Sequence, residues 1–187
     1  MNADVTRQPA LKSEPDVHTP VDAFSDCHAG ILHGLRGFAT LPPLVRAALR
    51  AHEVAVRTME MMDHAVLQHH KEEEEELFVA VLRSAQPGEE HDRVQAMVWQ
   101  LTDEHRTIEG LWKKLRPQVA RAAAGKPVAV PEDAVDQLVS VYRQHAQGEE
   151  RIFLPAAQVI LGRDGNHMAA LGISLHLRHA SVPIAYL

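Results

Sequence analysis

Residues 69–81 read HHKEEEEELFVAV, and residues 145–157 read HAQGEERIFLPAA. Laid on one another, they match at a histidine, at a glutamate four residues on, and at an apolar pair eight and nine residues on. These are His69, Glu73 and Leu77-Phe78 in the first stretch, and His145, Glu149 and Phe153-Leu154 in the second. Helix residues four apart lie about 40° apart around the axis, so each histidine shares a face with its glutamate. In the second stretch that face is apolar. His145 and Glu149 lie in the stripe Val135, Leu138, Tyr142, Phe153, Ala156 and Ile160, which the periodicity predicts to be buried. A bare carboxylate in a helical core is very costly. A metal ion removes that cost.

Outward from these stretches, two further histidines sit on apolar stripes. His28 lies among Phe24, Ile31, Leu32 and Leu35, and His105 among Val98, Leu101, Ile108 and Trp112. The spacing repeats: His28 to His69 is 41 residues and His105 to His145 is 40. Each half therefore reads as a helical hairpin that contributes one histidine and then a His-x-x-x-Glu. Two such halves predict a two-metal site, with four imidazoles and two bridging carboxylates. That set leaves each metal short of six ligands, with room for an oxo or hydroxo bridge and a small exogenous molecule. Mixed imidazole and carboxylate ligation with open positions suits two non-haem iron ions per chain, with manganese or zinc as substitutes. Zinc fits less well, because it favours closed four-coordinate sites or three ligands plus water. The di-iron ferritin-like arrangement needs Glu-x-x-His pairs, and this sequence has none.

Some positions have two readings. His70 and Glu74 have the same spacing as His69 and Glu73; the apolar wheel, with Leu77, Phe78 and Val81, favours His70, while the repeat favours His69. Glu109, four residues after His105, is a third carboxylate ligand, an acceptor for an imidazole N–H, or a bundle-edge residue. Tyr142, one turn before His145, points to the site as a hydrogen-bond donor or is a core tyrosine. The Glu72–Glu76 run reads as a solvated helix face apart from Glu73. Cys27, about 100° round the helix from His28, reads as an inert thiol. Met59, Met61 and Met62 read as core filler. His18, His33, His52, His64, His91, His167, His176 and His179 carry no ligand assignment.

Punctuation places these residues on helices. A first helix is expected over roughly 22–38, and a second from Pro42-Pro43 to about Ser84, because proline is tolerated in a first turn but not deeper. A third is expected over roughly 89–123, ended by Gly125-Lys126-Pro127 and kinked at Pro117. The fourth runs from Pro131 to about Leu161, and a short helix from about 166 to 178 follows. The expected fold is all-α: an antiparallel up-down four-helix bundle over residues 21–162. A disordered arm over residues 1–20 precedes it, and a C-terminal helix and tail over 163–187 packs on it.

Composition narrows the function. A chain of 187 residues with 45% apolar content holds one domain with a core, and 4% aromatics with few β-branched runs argue against a large sheet. The net charge of −6 offers no field for nucleic acid or an anionic membrane. The single cysteine suits a reducing cytoplasm, and no apolar run is long enough for a membrane span. Thirteen histidines is a high count for this length, and histidine is the commonest metal ligand.

The stretches CHAGILHGL (27–35), LQHHKEEEEELF (67–78), DEHRTIEGLW (103–112) and YRQHAQGEERIFLPAA (142–157) together resemble the hemerythrin-like, or HHE cation-binding, domain family over roughly residues 22–161. The resemblance implies a hemerythrin-like bundle in which His28, His69, Glu73, His105, His145 and Glu149 bind iron. Two departures are visible. Val79 stands where a proline often follows Leu-Phe, and the fifth histidine of the family's oxygen carriers, part of a His-x-x-x-His pair, has no counterpart here. The implied function is binding of O2, NO or peroxide by a monomer or homodimer acting as sensor, carrier or oxidative-stress protein. The alternative is a di-iron redox enzyme that reduces NO or peroxide, or an iron donor for iron–sulfur repair.

Overall fold

The computed structural model describes residues 20–163, so most of the expected arm and the whole of the expected helix over 166–178 lie outside the described residues. Among the described residues the chain is helical between short turns, without strands, and no helix is long and apolar enough to cross a membrane.

Helix α1 is Pro20–Ala39, and Thr40 closes it by donating both its N–H and its hydroxyl to the Gly37 carbonyl. A helical rod then covers residues 41–84 as α2 (Leu41–Glu60), π1 (Met61–Val66), α3 (Leu67–Glu72), π2 (Glu73–Leu77) and α4 (Phe78–Ser84). Pro42 and Pro43 fall in its first turn, where no intrahelical partner awaits their missing N–H groups. Ala85 turns the backbone extended, Gly88 has a φ of 98°, and α5 (Glu89–Ala123) begins with Glu89, Glu90 and Asp92 at its positive end. The helix continues through Pro117 without a break. It ends in a Schellman motif: Gly125 at φ 65° donates to the Ala122 carbonyl and Lys126 to that of Arg121. The last rod is α6 (Glu132–Gly148), π3 (Glu149–Phe153) and α7 (Leu154–Leu161).

The π turns are where the observed rods depart from the regular helices expected. They are not scattered: π2 and π3 occupy matching places in the repeat, each starting at its glutamate. In a regular helix a step of four residues drifts about 40°, so three successive steps would carry a side chain about 120° round and out of the core. His145, Glu149, Phe153 and Ala157 are all buried, because the wider turn of π3 takes up that drift.

Contacts divide the chain within α2 into two units, Met1–Ala47 and Ala48–Leu187. In the first, α1 leaves the stripe Phe24, Ile31, Leu32 and Leu35 exposed. In the second, three rods run antiparallel around two apolar clusters. One cluster joins Phe78 and Val81 to Val94, Val98 and Leu101 of α5 and to Phe153, Ala157 and Ile160. The other joins Met62 and Val66 to Ile108, Trp112 and Leu115, with Leu138 and Tyr142 of α6 packed on it. On all three rods, the charged residues singled out above fall between the two clusters. Below the second cluster, the Trp112 indole N–H donates to Asp63 (2.8 Å), which also accepts a two-pronged pair from Arg116.

Candidate metal centre

Between the clusters the three rods bring together a buried polar layer. His70, His105, His145, Glu72, Glu73 and Glu149 are each at most 6% exposed. The rings of His70 and His105 stack with centroids 3.9 Å apart and planes within 4°, and His145 meets His105 edge-on at 4.8 Å. Phe78 closes one side of His105 at 5.9 Å.

Each of the three buried imidazoles is held from behind by a carboxylate. His105 Nδ1 lies 2.8 Å from Glu74, His145 Nδ1 3.0 Å from Glu104, and His70 Nδ1 3.3 Å from Glu109. A carboxylate accepts only, so Nδ1 carries the proton, and a neutral ring then presents its Nε2 lone pair to the interior. The Nε2 atoms of His70 and His105 have no hydrogen-bond partner there, nor has one oxygen of Glu73, which lies 3.3 Å from His105 Nε2 without the alignment of a hydrogen bond. Buried donors and acceptors without partners are rare in folded proteins. Here they are nitrogen and oxygen ligand atoms turned toward one another, as a cation requires, so the residues fit a metal.

The donors fall into two sets. His70, His105 and His145 form one, entirely buried. His69, Glu73 and Glu149 form the other, and within each set the ligand atoms lie within 4.8 Å of one another. His69 Nε2 stands 3.1 Å from Glu73. Glu73 and Glu149 meet across the rods, their ligand oxygens within 4.8 Å of each other. Burial and that contact push the Glu149 carboxyl up to about 9, so it holds the shared proton. Burial opposes ionisation of Glu73 as well, but the close approach of His105, Glu149 and His69 outweighs it and brings Glu73 down to about 2. Burial, reinforced by the charge of His105, lowers His70 to about 4 and keeps it neutral at physiological pH. Burial also works against a charged His105, yet Glu73 and Glu74 on either side raise it above the usual histidine range.

The second set opens on a cavity of about 470 Å³ lined by His69, Glu73, Tyr142, His145 and Glu149. Tyr142 is half-buried with its ring 6.1 Å from that of His145, and burial together with the charges of Glu73 and Glu149 raises its phenol above the ordinary range. His28 lies exposed on α1, in the other unit. Cys27 is exposed too. Apart from Glu73, the Glu72–Glu76 run is only in part the solvated face expected of it: Glu75 is exposed, but Glu72 is buried and Glu74 binds His105 and Arg106. Glu72, Glu74 and Glu104 are site residues that the sequence left unclaimed. The His70-Glu74 spacing and the position of Glu104 immediately before His105 were the available signals.

The model of the hemerythrin HHE cation binding domain matches residues 10–157. The chain belongs to the hemerythrin HHE family. No curated protein and no solved structure matches it. As an HHE domain it binds cations, and its buried histidine and glutamate groups are able to hold them. The HHE match spans the stretches around His28, His69, His105 and His145 alike.

Proposed function

We propose that this HHE protein holds two iron ions at the paired donor sets and binds a small diatomic or reactive species there, O2, NO or peroxide, as a sensor, carrier or stress-response protein. The observation that carries this reading is the set of three buried imidazoles, each anchored at Nδ1 by a carboxylate and facing the Glu73–Glu149 pair. Bound iron supplies redox chemistry and open coordination positions, which the side chains alone lack.

The protein's own groups would divide the remaining tasks. His70, His105 and His145 present nitrogen donors in fixed orientation. Glu73 and Glu149 bring the charge that offsets the cations, and Glu149 gives up its proton when they bind. Tyr142 stands at the cavity as a protonated phenol able to donate a hydrogen bond to an entering molecule. The 41- and 40-residue repeat makes His28 of α1 a further candidate ligand.

The test is anaerobic loading with Fe(II), counting iron per folded chain, followed by the optical spectrum before oxygen, after oxygen and after its removal. Two irons per chain and a spectral change that reverses would support the sensor or carrier. An irreversible change would select the alternative of a redox enzyme acting on NO or peroxide. No iron in folded protein would refute the metal centre.

A further inference from the structure

Arg106 has no part in the donor sets, yet it touches both carboxylates that hold the stacked histidines. One guanidinium nitrogen lies 3.0 Å from each oxygen of Glu109, and the other binds Glu74. Glu109 in turn meets His70 Nδ1 and Glu74 meets His105 Nδ1. The contacts close a ring: His70, Glu109, Arg106, Glu74, His105, and back to His70 through the stacked rings.

The ring is woven between two rods. His70 comes from α3 and is held by Glu109 of α5. His105 comes from α5 and is held by Glu74 of π2. Neither carboxylate is aligned by its own helix with the imidazole it serves, so something must fix both across the gap. Two like charges converging on a stacked pair repel each other, and a guanidinium between them reverses that and sets their directions with its planar fork. An isolated exposed ion pair contributes little. This one differs because each carboxylate already spends an oxygen on a buried imidazole.

We propose that Arg106 is a positioning residue, a clasp that holds the His70 and His105 imidazoles as one stacked unit with both Nε2 atoms turned inward; its consequence for metal affinity rests on the metal centre proposed above. His145 provides an internal control. Its carboxylate, Glu104, is met by the Gln100 amide at 2.8 Å and lies outside the clasp.

The experiment uses the full chain, first metal-free. Buried, hydrogen-bonded ring N–H protons exchange slowly and are seen by nuclear magnetic resonance, with each histidine assigned by its nitrogen shifts. In Arg106→Ala the Nδ1–H signals of His70 and His105 are expected to shift or be lost to exchange while that of His145 stays. The Fe(II) affinity is expected to fall about 10- to 100-fold, the range seen when groups orienting metal ligands are removed. Arg106→Lys keeps the charge but reaches one carboxylate at a time, so it should fall between. If Arg106→Ala does not fold, Arg106→Gln takes its place. Unchanged His70 and His105 signals in a folded variant would overturn the clasp. So would equal change in all three histidines, which marks general loosening. If the wild type bound no iron, the metal-centre reading would fail by itself, and the ring signals, which need no metal, would still decide the clasp.

Discussion

Cation binding at this centre should release at least one proton, and the affinity should therefore depend steeply on pH. In the metal-free protein the Glu73–Glu149 pair holds one proton from about 2 to about 9, the two limits set by its members. His70, lowered to about 4, has no proton to lose above pH 6. His105, raised between Glu73 and Glu74, adds part of a second proton on the acid side. A cation that takes both carboxylates must expel the shared proton, so the dissociation constant should drop at least about tenfold per pH unit, at least about 100-fold from pH 6 to pH 8. The same proton sets a sign for stability. Unfolded, the pair binds no proton above about pH 5, whereas folded it binds one. The pair's contribution to metal-free stability thus falls as pH rises between about 5 and 9, by about 1.4 kcal/mol per unit. Calorimetric titration with Mn(II), a redox-inert probe, in buffers of different ionisation enthalpy counts the protons, and competition with a chelator follows the affinity. Glu149→Gln removes the titrating group and should lower the slope by one. Zero protons released and a flat affinity between pH 6 and pH 8 would refute the reasoning.

Other expectations test other layers of the molecule. His105→Ala or His145→Ala should abolish tight metal binding and lower metal-free stability by about 2–4 kcal/mol, read by thermal melting with metal analysis; unchanged iron content would remove that residue from the ligand set. Phe78→Ala should cost about 3–5 kcal/mol, because Phe78 is 2% exposed and packs edge-on against Phe153 at 5.0 Å; a loss under 1 kcal/mol in denaturant titration would contradict its central place. Asp63, lowered chiefly by its bond to Arg116, contributes stability that is present above the ordinary aspartate range and lost as pH falls through its folded value. Asp63→Ala should cost about 1–3 kcal/mol by leaving the Trp112 N–H unpaired, with a change in tryptophan emission, and this cost should shrink in acid. His28→Ala should weaken iron binding at least tenfold if α1 supplies a ligand; an unchanged affinity would take His28 out of the centre.

The three rods of the second unit were legible in sequence because helix limits are written locally. Pro42-Pro43, Pro87-Gly88 and Gly125-Lys126-Pro127 bound them through missing donors and left-handed turns, which need no partner elsewhere in the chain. The polar layer was legible for a similar reason. A histidine and a glutamate four apart within an apolar stripe conflict with burial unless something binds them, and the conflict recurs at matching spacing. Regular helical periodicity could not register the π turns. On the rod over residues 41–84 the buried series Val66, His70, Glu73, Phe78, Val81 takes one step of five at π2. Under a strict period of 3.6 the two neighbouring histidines compete for one face. With the π turns in place both stand at the polar layer, His70 beside His105 and His145, and His69 beside Glu73 and Glu149. Glu74, Glu104, Arg106 and Glu109 bear on imidazoles of a neighbouring rod, at separations of 31 to 41 residues for the carboxylate–histidine bonds. A single helix can declare which of its residues should be buried; the carboxylate that will meet each imidazole is decided only when the rods pack, because that choice belongs to distance in space and not to spacing along the chain.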